Sequence, residues 1–172
     1  MAYSLILLRN DTGRPCVFHA DLYGSFGSSD GRNSTPPTCR GLILPRMILA
    51  RQLYAYGVQH DYFDKSNCIG FTRAGHESHS DGAGLAVIMT NGFETAQKRM
   101  NVGIHHIGEL WTDLLRCCWG EVLIDSEGWG MFGVSPRSVS IWVLKTASNR
   151  RKLDGLVLSV HNFLFPLFVF FS

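Results

Sequence analysis

The stretch YAYGVQHDYFD, from Tyr54 to Asp64, packs four aromatics, two Asp and one His into eleven residues. Asp61 and Asp64 offer a close carboxylate pair, the residue type that general acid–base work needs. Acidic residues beside a turn are more often solvated or capping. Aromatics with polar tips also suit a seam between packed units, burying their rings while their hydroxyls find partners. Other clusters are weaker. HESH, His76 to His79, resembles the zinc helix motif, but that motif needs His at i and i+4, and Ser80 holds the second place. Flanking Gly and Ser make it a loop. Cys117 with His105 or His106 supplies a nucleophile and a base, without a motif to orient them. Asn33 opens an NST triplet, a glycosylation acceptor whose meaning depends on secretion.

The chain that must position these groups has 172 residues, enough for one domain, or one small domain with pieces of another. Apolar residues make up 45% and charged ones 17%, ordinary for a protein with a buried core. A net charge of +2 gives no electrostatic footprint for nucleic acid or an anionic membrane, so neither is expected as a partner. Cys16, Cys39, Cys68, Cys117 and Cys118 are odd in number and irregularly spaced, which reads as reduced structural thiols. The opening MAYSLILLRND lacks the charged front and cleavage site of a signal peptide, and a cytoplasmic location is expected.

Two regimes of periodicity divide the chain. Tyr3, Ile6 and Leu7 share a helical face, and NDTG stops that helix at Gly13. Cys16, Val17 and Phe18 form a short apolar run, as in a strand buried on both faces. SSDGRNSTPPT is a polar loop. A second helix starts near Pro45, with Leu49, Leu53 and Tyr56 at i, i+4 and i+7, and Gly57 closes it. From Asn67 the period becomes two: CIGFTR, GLAVIMTNG, KRMNVG, ELWTDLL, EVLIDSEGWGMF and SVSIWVL are short runs separated by Gly, Asn or Ser. DSEG, Asp125 to Gly128, reads as a hairpin turn with Trp129 and Phe132 on the returning strand. The expected class is therefore an antiparallel β-sandwich preceded by a slice of α/β structure.

VFHADLYG, ILARQLYAYGVQHDYFD, CIGFTR, GLAVIMTNG, KRMNVG, GELWTD, IDSEGWGMF and SVSIWV, in that order, resemble the C-terminal end of α-amylases in glycoside hydrolase family 13. The nearest branch is the liquefying bacterial type, which also has fungal intracellular members. The resemblance covers residues 1–143. It implies that residues 1–57 are the end of an incomplete (β/α)8 barrel: the end of helix seven, strand eight at PCVFHAD, and the last helix. Residues 58–144 would be the family's C-terminal Greek-key sandwich, and 145–172 an unassigned tail. YAYGVQHDYFD then becomes the barrel–sandwich seam. Such an isolated remnant cannot close a barrel, so residues 1–38 are expected to exchange amide protons freely while the sandwich is protected.

The resemblance also assigns sites. His19, Asp21 and Tyr23 follow strand eight at the face where barrels hold their active sites, and would line the rim of the cleft or fix its loop geometry. His19 stands where relatives commonly carry Tyr. The family calcium position, between barrel and sandwich, would fall on Ser66, Asn67 and Asn91; with two Asn for two carboxylates, that site is expected to be weak. Retaining hydrolysis needs two carboxyls about 5–5.5 Å apart. The family's motifs for them would lie before Met1, and no catalytic residue is assigned here. The implied parent cleaves internal α-1,4 bonds of starch, glycogen and maltooligosaccharides. Two alternatives stand beside an inactive C-terminal fragment: a stand-alone glucan-binding module using Trp111, Trp119, Trp129 or Trp142, and a truncated gene product without function. Alternation places some of these Trp residues in the core. The apolar end, Leu156 to Phe171, is shorter than the roughly 20 residues of a membrane span.

Overall fold

The computed structural model describes residues 1–23, 43–76, 78–79, 83–147 and 150. Three helices come first: α1 (Ala2–Leu8), α2 (His19–Tyr23) and α3 (Ile43–Tyr54). Eight strands follow: β1 (Gln59–Lys65), β2 (Cys68–Arg73), β3 (Leu85–Thr90), β4 (Ala96–Asn101), β5 (Leu110–Asp113), β6 (Val122–Leu123), β7 (Trp129–Val134) and β8 (Val139–Leu144). All their pairings are antiparallel. One sheet has the order β1-β2-β3-β8-β5-β6, and β4 pairs with β7 in a second.

The larger sheet is covered on both faces. On one, Leu8, Leu44, Met47 and Tyr54 of α1 and α3 pack with Phe71, Val87 and Ile141. On the other, Ile88, Trp111 and Trp142 meet Met100, Phe132 and Val134 of the small sheet. Double coverage explains why every residue of β3 is buried rather than every second one. The rings of Trp111, Phe132 and Trp142 meet edge to face at 6.0 Å, the arrangement their quadrupoles favour.

The β region follows the expected runs, and the helical part departs from expectation. Residues 15–18 join no sheet among the described residues; Cys16 and Phe18 are exposed, and only Val17 packs towards the core. An apolar run becomes a buried strand only where ladders exist on its flanks. Helix α3 buries Leu44, Met47, Ala50 and Tyr54, with Leu49 and Leu53 half-buried at its sides. It is apolar on most of its circumference, so periodicity selected the wrong stripe. Tyr56 lies beyond the helix, stacked on His79 at 3.6 Å. Gly57 does not close the helix, which ends three residues earlier at Tyr54; its φ is +81°, and a Cβ there would sit 1.9 Å from the Gly75 carbonyl oxygen, so it serves a close crossing of two loops. Residues 24–42, with Asn33 and Cys39, and those beyond Arg150 lie outside the described residues. Cys16, Cys68, Cys117 and Cys118 are free thiols.

Candidate functional site

Strand β1 takes apart the Asp61–Asp64 pair. Asp61 accepts from the Arg9 guanidinium at 2.9 Å and from Gln59 Nε2 at 3.1 Å. Asp64 pairs instead with the buried Lys98 ammonium on β4, which holds its carboxyl below the ordinary range. The two carboxylates thus pair with different cations: Arg9, which Asp61 shares with Asp11, and Lys98 of the small sheet. Arg9 also lies over the Phe63 ring at 5.1 Å, and the Gln59 side chain accepts from the Asn10 amide at 2.8 Å. Arg73 on β2 donates to the carbonyls of Gly57 and Leu8. This stretch fastens the helical layer to the sheet.

His19, Asp21 and Tyr23 share the five-residue helix α2. Its Asp21 carboxylate accepts from the Tyr3 hydroxyl, which in turn accepts from the Phe18 amide at 3.3 Å. Asp21 therefore ties α2 to α1. The Tyr23 side chain lies outside the described ones.

Ser66 and Asn67 form the two-residue turn between β1 and β2, and Asn91 follows β3. The fold brings Asn67 and Asn91 together: the Asn67 carbonyl accepts from the Thr90 hydroxyl at 2.7 Å and from the Asn91 amide at 3.2 Å. A hard dication wants several free anionic oxygens. Asn67 and Asn91, at the two carboxylate positions, supply only neutral amides, and the Asn67 carbonyl is already taken by two donors, so these side chains do not fit calcium.

His76 and His79 pack edge to face, and among the described residues no group of three His, Cys, Asp or Glu is placed to hold a metal. His106 is unlike His105 in being buried. Its Nδ1 donates to Glu109 Oε2 at 2.8 Å and its Nε2 to the Ala74 carbonyl at 2.9 Å. Glu109 Oε2 also accepts from Trp111 Nε1 at 2.9 Å. With Glu109 ionised both partners are acceptors, and both ring nitrogens then carry protons. Burial opposes that charge, but Glu109 and the carbonyl outweigh it and raise the His106 pKa. Burial works against the Glu109 charge as well, yet His106 and Trp111 lower its pKa. With its imidazole so engaged, His106 is no base for Cys117. Burial moreover pushes the Cys117 thiol up, away from thiolate reactivity.

A buried carboxylate that sequence reading missed organises the β5–β6 loop. Asp113 Oδ1 accepts from the amides of Leu115 and Ile141 at 3.1 and 2.9 Å. Its Oδ2 accepts from those of Cys117 and Cys118 at 2.8 and 2.9 Å. Burial pushes this carboxyl's pKa up, while the four amides favour its charged form. Its signal was position: two residues after Trp111 on an alternating strand, Asp113 falls on the same core-facing side. Among the four Trp, Trp111 and Trp142 are buried, Trp129 is half-buried beneath Arg99, and Trp119 is 90% exposed.

These features define an antiparallel β domain backed by helices, with its polar residues spent on construction. Residues 85–143 match the family model described as "Alpha-amylase C-terminal". Over 143 residues the chain is 44% identical to the α-amylase of Bacillus licheniformis, covering 83% of this chain and 27% of that protein. It is 43% identical over 145 residues to the glucan 1,4-alpha-maltohexaosidase of Bacillus sp. (strain 707), covering 84% and 26%. For the cytoplasmic α-amylase of Escherichia coli (strain K12) the values are 38% over 148 residues, 84% and 29%. The chain thus spans about a quarter of the length of these curated relatives. Among solved structures, a pullulanase from Anoxybacillus sp. LM18-11 is loosely similar, with a TM-score of 0.46 at 10% identity over 83% of this chain and 22% of that one. The β region is an α-amylase C-terminal domain, and the chain is homologous to the C-terminal part of α-amylases.

Proposed function

We propose that the chain is the C-terminal portion of an α-amylase-type glycosidase. In that reading it backs and stabilises a catalytic barrel that hydrolyses internal α-1,4 bonds of starch or glycogen with retention, and is inactive alone. The homology over residues that include the helices as well as the sheet carries this proposal. The dispersal of the acidic candidates supports it: Asp21 is held by Tyr3, Asp61 by Arg9 and Asp64 by Lys98. Asp61 shares the Arg9 guanidinium with Asp11, so these two carboxyls are bound to a common cation, an ion-pair arrangement rather than an acid and a nucleophile facing a scissile bond. The Ser66, Asn67 and Asn91 corner, on the same reading, holds no calcium. Enzymes accelerate such reactions by about a million-fold or more, beyond what binding alone supplies. The chain should release no reducing sugar from soluble starch or a blocked maltoheptaoside. Steady turnover that disappears in Asp21→Asn would contradict the proposal and locate an active site on α2.

A further inference from the structure

Helices α1 and α3 cover only part of their face of the larger sheet. The apolar cluster beneath them draws on Phe71 of β2, Val87 of β3 and Val143 of β8, but on no residue of β5 or β6. Thr112 lies opposite Val143 and Leu110 opposite Leu123, so Leu110, Thr112 and Leu123 continue that same face. Trp111 and Val122, their neighbours in sequence, turn to the other core. Leu110 is 40% exposed and Leu123 62%. Among the described residues β6 is also the last strand of its sheet, so apolar side chains and an open edge coincide at this corner. The chain leaves the sheet beside it. After β8, Ala147 is buried in the helical-side cluster, and Arg150 donates to the carbonyls of Val143 at 3.4 Å and Leu144 at 3.2 Å. That exit is one strand from β5 and two from β6.

We propose that residues 156–171 dock on the Leu110–Leu123 corner of their own chain and close the helical face over β5 and β6. The sequence of this run carries five Phe and no Asp, Glu, Lys or Arg, so water is a poor environment for it. Its reach is sufficient. Neighbouring strands lie about 4.8 Å apart, which puts β6 roughly 10 Å from β8. Residues 151–155 span up to about 17 Å when extended. So short a tether holds the run near its target at an effective concentration on the order of millimolar, well above that of a second copy in dilute solution. The run also falls short of the roughly 20 residues that a membrane span needs. Docked there, it would shield the β6 edge from pairing with another chain.

The test is chymotrypsin digestion of the full chain, with products read by mass, at a concentration where sedimentation shows a monomer. Cleavage after Phe163, Phe168 and Phe170 should be slow, because it requires the run to leave the sheet. Leu123→Asp sets a charge on the exposed contact, outside both cores, and should speed that cleavage by about tenfold or more. The milder Leu123→Ala should act in the same direction. Phe93→Asp is the control: this exposed ring lies under Arg137, by the start of β8 rather than its end, and its loss should leave the rate unchanged. Slow cleavage within residues 85–143 shows that the sheet is intact in each variant. Fast cleavage of the run in the unaltered monomer would overturn the proposal. So would equal rates in both Leu123 variants, or resistance gained only on self-association or on adding phosphatidylcholine vesicles.

Discussion

At the scale of single residues, the polar groups that catch the eye in this sequence are construction material. His106 and Glu109 give the sharpest test. The folded pKa of His106 is raised, so its stabilising contribution is full below the unfolded value of about 6.5 and is lost as pH rises through the folded value. Glu109 is lowered, so its contribution is full above about 4.3 and is lost as pH falls through its folded value. The pair should stabilise most between those limits. Glu109→Gln should cost about 1.5–3 kcal/mol within that window, the range for hydrogen bonds to charged groups. Its disadvantage should shrink at alkaline pH, where the imidazolium is gone. Urea midpoints of both proteins across pH check this; a pH-independent difference would mean that His106 is neutral in the fold.

At the scale of elements, the strands were legible and the helical layer only partly so. CIGFTR became β2 and SVSIWVL contains β8, because β-branched runs between turn residues have few other fates. DSEG turns as read, with Asp125 Oδ1 accepting from the amides of Glu127 and Trp129. It links strands of different sheets rather than a ladder-paired hairpin, since β6 pairs with β5 and β7 with β4. Edge strand β1 was hidden inside YAYGVQHDYFD, whose charges and exposed rings obscure alternation. The expectation of free exchange throughout residues 1–38 also needs revising. Leu7 and Leu8 are buried, and the carbonyls of both are capped by arginines from α3 and β2. Hydrogen exchange should therefore find protected amides at the end of α1 and fast exchange at Cys16–Phe18. Equal, fast exchange across both would show that the helical layer does not hold to the sheet.

For the whole molecule, two facts stand together: a sheet sealed on one face by a small second sheet and on the other by helices, and homology covering about a quarter of longer α-amylases. The sandwich class was visible in the spacing of strands. The sites were less so, because Asp21, Asp61 and Asp64 acquire their roles from Tyr3, Arg9 and Lys98, partners 18, 52 and 34 residues away in sequence. The central claim is that this chain completes such an enzyme without performing its chemistry. Grafting residues 1–143 in place of the matching segment of the Bacillus licheniformis α-amylase tests it most directly. The account expects a folded chimera that hydrolyses starch, while the chain alone gives no turnover. A folded chimera with its sheet amides protected and no hydrolysis would contradict it.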